Sequence, residues 1–110
     1  MSRVLRGAVI FAVAALTESA TVSAAPAGHE YTVAIANMAY GPVPSGLKVG
    51  DSIVWVNKDS VPHTVTSRDH SFDLRIGPGQ RGRLNLTKAG TYQVYCIYHA
   101  PMRATLSVSG

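Results

Sequence analysis

The chain contains one cysteine, Cys96, so no intrachain disulfide framework is available to it. Charged residues make up only 15 % of it. The ten Lys and Arg are scattered with no run of four, so the net charge of +4 carries little nucleic-acid signal. Apolar residues reach 46 %, too many for a chain that is disordered by composition. No stretch repeats apolar positions at helical spacing over several turns. The one unbroken apolar run, Ala8 to Leu16, is about half the roughly 20 residues needed to span a bilayer. At 110 residues there is room for one domain, which excludes a multidomain enzyme and leaves little space for a large substrate pocket.

The N-terminus has the layout of a secretory signal. Arg3 and Arg6 supply the positive start, Ala8–Leu16 the apolar segment, and Val22-Ser23-Ala24 the small residues that a signal peptidase reads. The expectation is cleavage after Ala24, leaving residues 25–110 as a single exported domain without a membrane anchor. Export also changes the meaning of Cys96. A lone thiol in an oxidising compartment is expected to be buried, paired between chains, or bound to a metal.

The remainder reads as short strands. Glu30–Ala36 alternates, with Tyr31, Val33 and Ile35 on one face. Leu47–Val49 is short and turned by Gly50-Asp51. Ser52–Asn57 is apolar on both faces, as a central strand would be. His63–Ser67, Arg83–Leu86, Thr91–Cys96 and Ala104–Val108 complete the set, with Gly77-Pro78-Gly79 as a strong turn. Turn signals about every ten residues predict an all-β, antiparallel sandwich. Trp55, Tyr31, Tyr92, Ile53, Val33 and Leu106 are the expected core.

The chemistry is concentrated in Cys96-Ile97-Tyr98-His99-Ala100-Pro101-Met102, which places a thiolate, an imidazole and a thioether within one strand connection. A second imidazole, His63, follows Val61-Pro62, where proline restricts both its own backbone and that of the residue before it. His63, Cys96, His99 and Met102 make a His₂Cys set with a candidate axial Met, the donor pattern of mononuclear blue copper. Cu(I) prefers soft sulfur, imidazole suits both oxidation states, and a weak axial thioether favours neither. Such a site rearranges little when it gains an electron. The expectation is therefore one copper ion cycling between Cu(II) and Cu(I).

At these residues the chain resembles the small cupredoxins, and most nearly the amicyanins among them. The resemblance rests on the short Cys-x₂-His-x₂-Met spacing at Cys96, His99 and Met102, and extends to Ile35–Tyr40, Val49–Asp51, Trp55–Asn57, Pro62-His63 and Ala89–Tyr92. It implies a Greek-key β-sandwich with a type 1 copper site, and a one-electron carrier in the periplasm. It further implies a monomer that docks transiently to redox proteins, such as a c-type cytochrome and a dehydrogenase, at an exposed edge of His99. Pro62, Tyr98, Ala100 and Pro101 would line that surface. Two departures stand out. Thr64 occupies the place after the first ligand His where amicyanins typically carry Asn. Tyr98 and Ala100 flank the second His where they tend to carry Pro.

The competing reading is a copper-binding protein that delivers the metal without an electron-transfer role. Such a protein favours several exchangeable Met and His ligands, and beyond the signal only Met38 and Met102 remain. An enzyme is not expected, because ligands for a second copper centre are missing and Cys96 and His99 lack an accompanying oxyanion motif. Met38 is expected in the core and His70 in a loop. Arg68, Arg75, Arg81 and Arg83 are a candidate basic cluster for steering an acidic partner.

Overall fold

Burial that alternates along most strands, and runs almost unbroken through Ser52–Asn57 and His63–Ser67, goes with two packed sheets. The computed structural model describes residues 28–110, so the expected signal segment lies outside the described residues. The strands are β1 (Glu30–Ala36), β2 (Ala39–Tyr40), β3 (Leu47–Lys48), β4 (Ser52–Asn57), β5 (His63–Ser67), β6 (Asp73–Ile76), β7 (Arg81–Asn85), β8 (Gly90–Cys96) and β9 (His99–Ser109). One sheet has the order β2-β1-β4-β7 and the other β3-β9-β8-β5-β6. The described residues contain no helix.

The all-β sandwich expected from the sequence is thus the observed fold. Its sheets are not purely antiparallel, however. β1 runs parallel to β4, and β3 runs parallel to β9. Crossovers between the two sheets bring these distant segments side by side, which local alternation does not encode. Two strands, β2 and β6, were not expected. β9 begins five residues before the expected Ala104, at His99, so the ligand motif is itself partly strand.

β4 is central as predicted, between β1 and β7. Ile53 and Trp55 are fully buried, beside Val33 and Ile35 on β1 of the same sheet, and Val65, Val94 and Leu106 of the other sheet complete the core. Tyr40 packs edge-on to Trp55 at 5.5 Å between centroids. Tyr31 and Tyr92 sit at the margin of this core rather than inside it.

At the end of the sandwich away from Cys96, Asp51 ties the chain's first described residues to the sheet. Its carboxylate accepts from the backbone N–H of Lys48 at 2.9 Å and of His29 at 2.8 Å. The Lys48 N–H is the larger of the influences that hold the Asp51 carboxyl below the usual carboxylate range. A carboxylate with a lowered folded-state pKa stabilises the fold above its unfolded-state pKa, near 3.9, and loses that contribution as pH falls. Asp51→Asn should therefore flatten the acid side of the stability curve. Urea denaturation from about pH 6 down to pH 2 checks this. An unchanged acid slope would contradict it.

Candidate metal centre

β5 and β8 bring the first two sulfur and nitrogen donors together. Thr66 pairs with Tyr95, and Ser67 with Val94. This register sets His63, at the start of β5, beside Cys96, at the end of β8. Both are buried, and Cys96 Sγ lies 3.8 Å from His63 Nδ1. One ion with a nitrogen bond of about 2.0 Å and a sulfur bond of about 2.3 Å is able to bridge that gap. Beyond Cys96 the chain turns through Ile97 and Tyr98 into β9. His99 then stands opposite Cys96, next to a register irregularity at Tyr95/Cys96. Met102 follows, buried, on the inner face of β9.

The orientation of the His63 ring has an identifiable cause. Its Nε2 lies 2.8 Å from Asp59 Oδ2. A carboxylate only accepts, so Nε2 carries the hydrogen and Nδ1 keeps its lone pair toward Cys96. Asp59 also accepts from the backbone N–H of Asn37 at 2.8 Å and of Met38 at 2.9 Å. These two residues form the β1–β2 turn with φ of 53° and 60°, a left-handed pair that Asn tolerates and Met does not favour. One side chain thus pins a costly turn and a buried imidazole. The Met38 N–H contributes most, and His63 next, to holding the Asp59 carboxyl below its ordinary range. Burial pushes His63 down, but Cys96 and Asp59 together leave it raised. Asp59 was not singled out in sequence. The available signal was an acidic residue four places before a histidine in a short loop.

Thr64 fills the position where the resembled proteins carry Asn, and it bridges the two donor segments. Its N–H donates to Cys96 Sγ at 3.4 Å, and its Oγ1 accepts from the Ile97 N–H at 2.9 Å. Burial raises the Cys96 thiol, yet the bonds from Thr64 and His63 outweigh it and leave the pKa lowered. Sulfur at this position is thereby predisposed to act as thiolate.

The loop that delivers His63 is held by Asn57, which is buried at the end of β4. Asn57 Nδ2 donates to the carbonyls of Val61, Ile76 and Gly77 at 2.8, 3.2 and 3.2 Å, and its Oδ1 accepts from the Asp59 N–H at 2.9 Å. Asn57→Ala should lower the stability of the metal-free protein by about 2–3 kcal/mol, because it orphans several backbone groups. A loss below about 0.5 kcal/mol in urea denaturation would contradict this role.

Residues 7–108 match the family model described as a cupredoxin-like domain. The chain belongs to the cupredoxins. It is 31 % identical over 102 residues to amicyanin of Paracoccus denitrificans, with 84 % of this chain and 75 % of that protein covered. Among solved structures it is similar to an oxidised proline-to-alanine variant of amicyanin. There the identity is 32 %, the TM-score 0.63, and 72 % of this chain and 81 % of that one are covered. A Cu(I) methionine-to-glutamine variant of amicyanin gives 30 % identity and a TM-score of 0.63, with the same coverage of each chain. The protein is therefore an amicyanin-like blue copper protein, and its general role is electron carriage. The donor chemistry present, imidazole, thiol and thioether at one end of the sandwich, fits that metal.

In this cupredoxin the structure brings His63 and Cys96 together most closely. Among the described residues no group of three His, Cys, Asp or Glu side chains converges closely enough to hold a metal ion. His99 is half-buried at the rim. Around it Pro62, Tyr98, Ala100 and Pro101 are largely exposed, as are Val61 and Ile97. Met38 was expected in the core but is exposed, because the left-handed turn directs it outward. His70 lies in the exposed β5–β6 turn with a φ of 65°. The four arginines are spread over three segments. Arg75 is on β6 and Arg68 just past β5, while Arg81 and Arg83 are on β7 of the other sheet.

Proposed function

We propose that His63, Cys96, His99 and Met102 hold the copper ion of this chain, and that the protein shuttles single electrons in the periplasm. The observation that carries the assignment is the buried 3.8 Å approach of His63 Nδ1 to Cys96 Sγ, each group oriented by its own hydrogen-bond partner. When bound, copper supplies the Cu(II)/Cu(I) couple. The protein's part is to keep the donors still. His63 is held by Asp59, Cys96 by the strand and by Thr64, and Met102 by the core. Donors that barely move on electron gain or loss minimise reorganisation, which is the physical requirement for rapid exchange.

His99 connects this interior to the surface. It is half-buried, its chain neighbours Tyr98, Ala100 and Pro101 are exposed, as is Pro62 beside His63, and Val61 and Ile97 add exposed apolar area. A modest apolar patch suits brief docking to periplasmic redox proteins, such as a c-type cytochrome or a dehydrogenase. Residues 1–24 act as the export signal, and the domain from residue 25 works as a monomer.

Repeated oxidation and reduction in the presence of a Cu(I) chelator separates carriage from delivery. A carrier retains its copper and a reversible one-electron wave through many cycles. Loss of metal to the chelator on first reduction would favour delivery and overturn the proposal. Met102→Ala should keep copper bound but shift the reduction potential, as expected for a weak axial ligand. Complete loss of copper would contradict that role.

A further inference from the structure

Two hydroxyls are hidden on the outer face of the five-stranded sheet. Val65 points into the core, so Thr64 and Thr66 point away from it. Even so, they are only 0 % and 5 % exposed. Thr66 Oγ1 lies 2.9 Å from Thr64 Oγ1 and 2.9 Å from Asp73 Oδ1. Asp73 is directly opposite Thr66 on β6, and Arg75 is opposite Thr64. The Arg75 guanidinium grips both carboxylate oxygens of Asp73, with Nη2 at 2.9 Å from Oδ2 and Nε at 3.1 Å from each.

These contacts have one consistent order of hydrogens. Paired with Arg75, Asp73 is ionised and only accepts. Thr66 therefore spends its single hydrogen on Asp73. The Thr64–Thr66 contact must then use the hydrogen of Thr64. That leaves Thr64 Oγ1 presenting lone pairs toward the Ile97 N–H, which lies 2.9 Å away. The chain from Arg75 through Asp73, Thr66 and Thr64 ends on the peptide joining Cys96 to Ile97. An exposed ion pair on an edge strand by itself contributes little. This one reaches the ligand loop through Thr66 and Thr64.

We propose that Asp73 is a positioning residue for the metal centre, acting through Thr66 and Thr64 to hold the Cys96–Ile97 peptide and the Thr64 N–H···Sγ bond in one geometry. The proposal rests on the assignment of Cys96 as thiolate ligand. An N–H donated to the sulfur withdraws electron density from it and makes it a poorer support for Cu(II). A looser bond therefore lowers the reduction potential.

Thr66→Val removes the middle hydroxyl while keeping the branched shape. Asp73→Ala removes the ordering group from an exposed site, and it carries the test should Thr66→Val fail to fold. In metal-free protein, amide hydrogen exchange at Ile97 should accelerate about ten-fold relative to Val94 within the β8 ladder. In copper-loaded protein both variants should have a lower potential, and Thr66→Ser should restore both readouts. Unchanged Ile97 exchange would overturn the relay. Faster exchange with an unchanged potential would overturn its role at the metal. The exchange readout needs no copper, so it stands apart from any failure of the ligand assignment.

Discussion

The structure turns on how β5 is laid against β8. Only two residue pairs, Thr66 with Tyr95 and Ser67 with Val94, define that register. It nevertheless decides whether an imidazole and a thiol 33 residues apart in sequence meet. A slip of one residue would send His63 to the outer face of the sheet and leave Cys96 alone in the core. The pairing is over-determined for that reason. Val65 is buried in the core beneath it, and Thr64 clasps both the Cys96 sulfur and the following amide above it.

Around this contact the fold assigns separate tasks to separate groups. Asp59 chooses the ring nitrogen that His63 turns inward and, with the same carboxylate, stabilises a turn that its own residues disfavour. Asn57 holds the loop that carries both Asp59 and His63. Met102 enters from β9 as part of the core, while His99 remains at the rim. Three of the four proposed donors are thus buried in strands, and His99 is only half-buried. That asymmetry is what a carrier needs, a fixed interior with one route outward.

Much of this was legible in sequence, for reasons particular to each element. β1 and β5 have the expected ends because alternation and flanking turn residues mark them, and β4 because an apolar run on both faces is bounded by turn residues. The candidate donor set stands out in sequence because few chemistries place Cys, His and Met so close together at a strand end. β2 was missed because two residues carry no period. β6 was missed because Asp73-Leu74-Arg75-Ile76 follows a polar turn and alternates only briefly. The parallel pairings, the role of Asp59 and the Thr64–Thr66–Asp73 contacts all depend on register between strands that are distant or on opposite sides of a hairpin. Composition cannot express that. Thr64 stands where the resembled proteins carry Asn, and in the fold its buried hydroxyl accepts from the Ile97 N–H.

The most direct test of the account is a visible absorption titration of the domain, residues 25–110, with Cu(II), beside the Cys96→Ser variant. The account predicts an intense blue thiolate-to-copper band that saturates at one copper per chain and is absent in the variant. A colourless, weakly held copper in the native domain, or an undiminished band after Cys96→Ser, would contradict it.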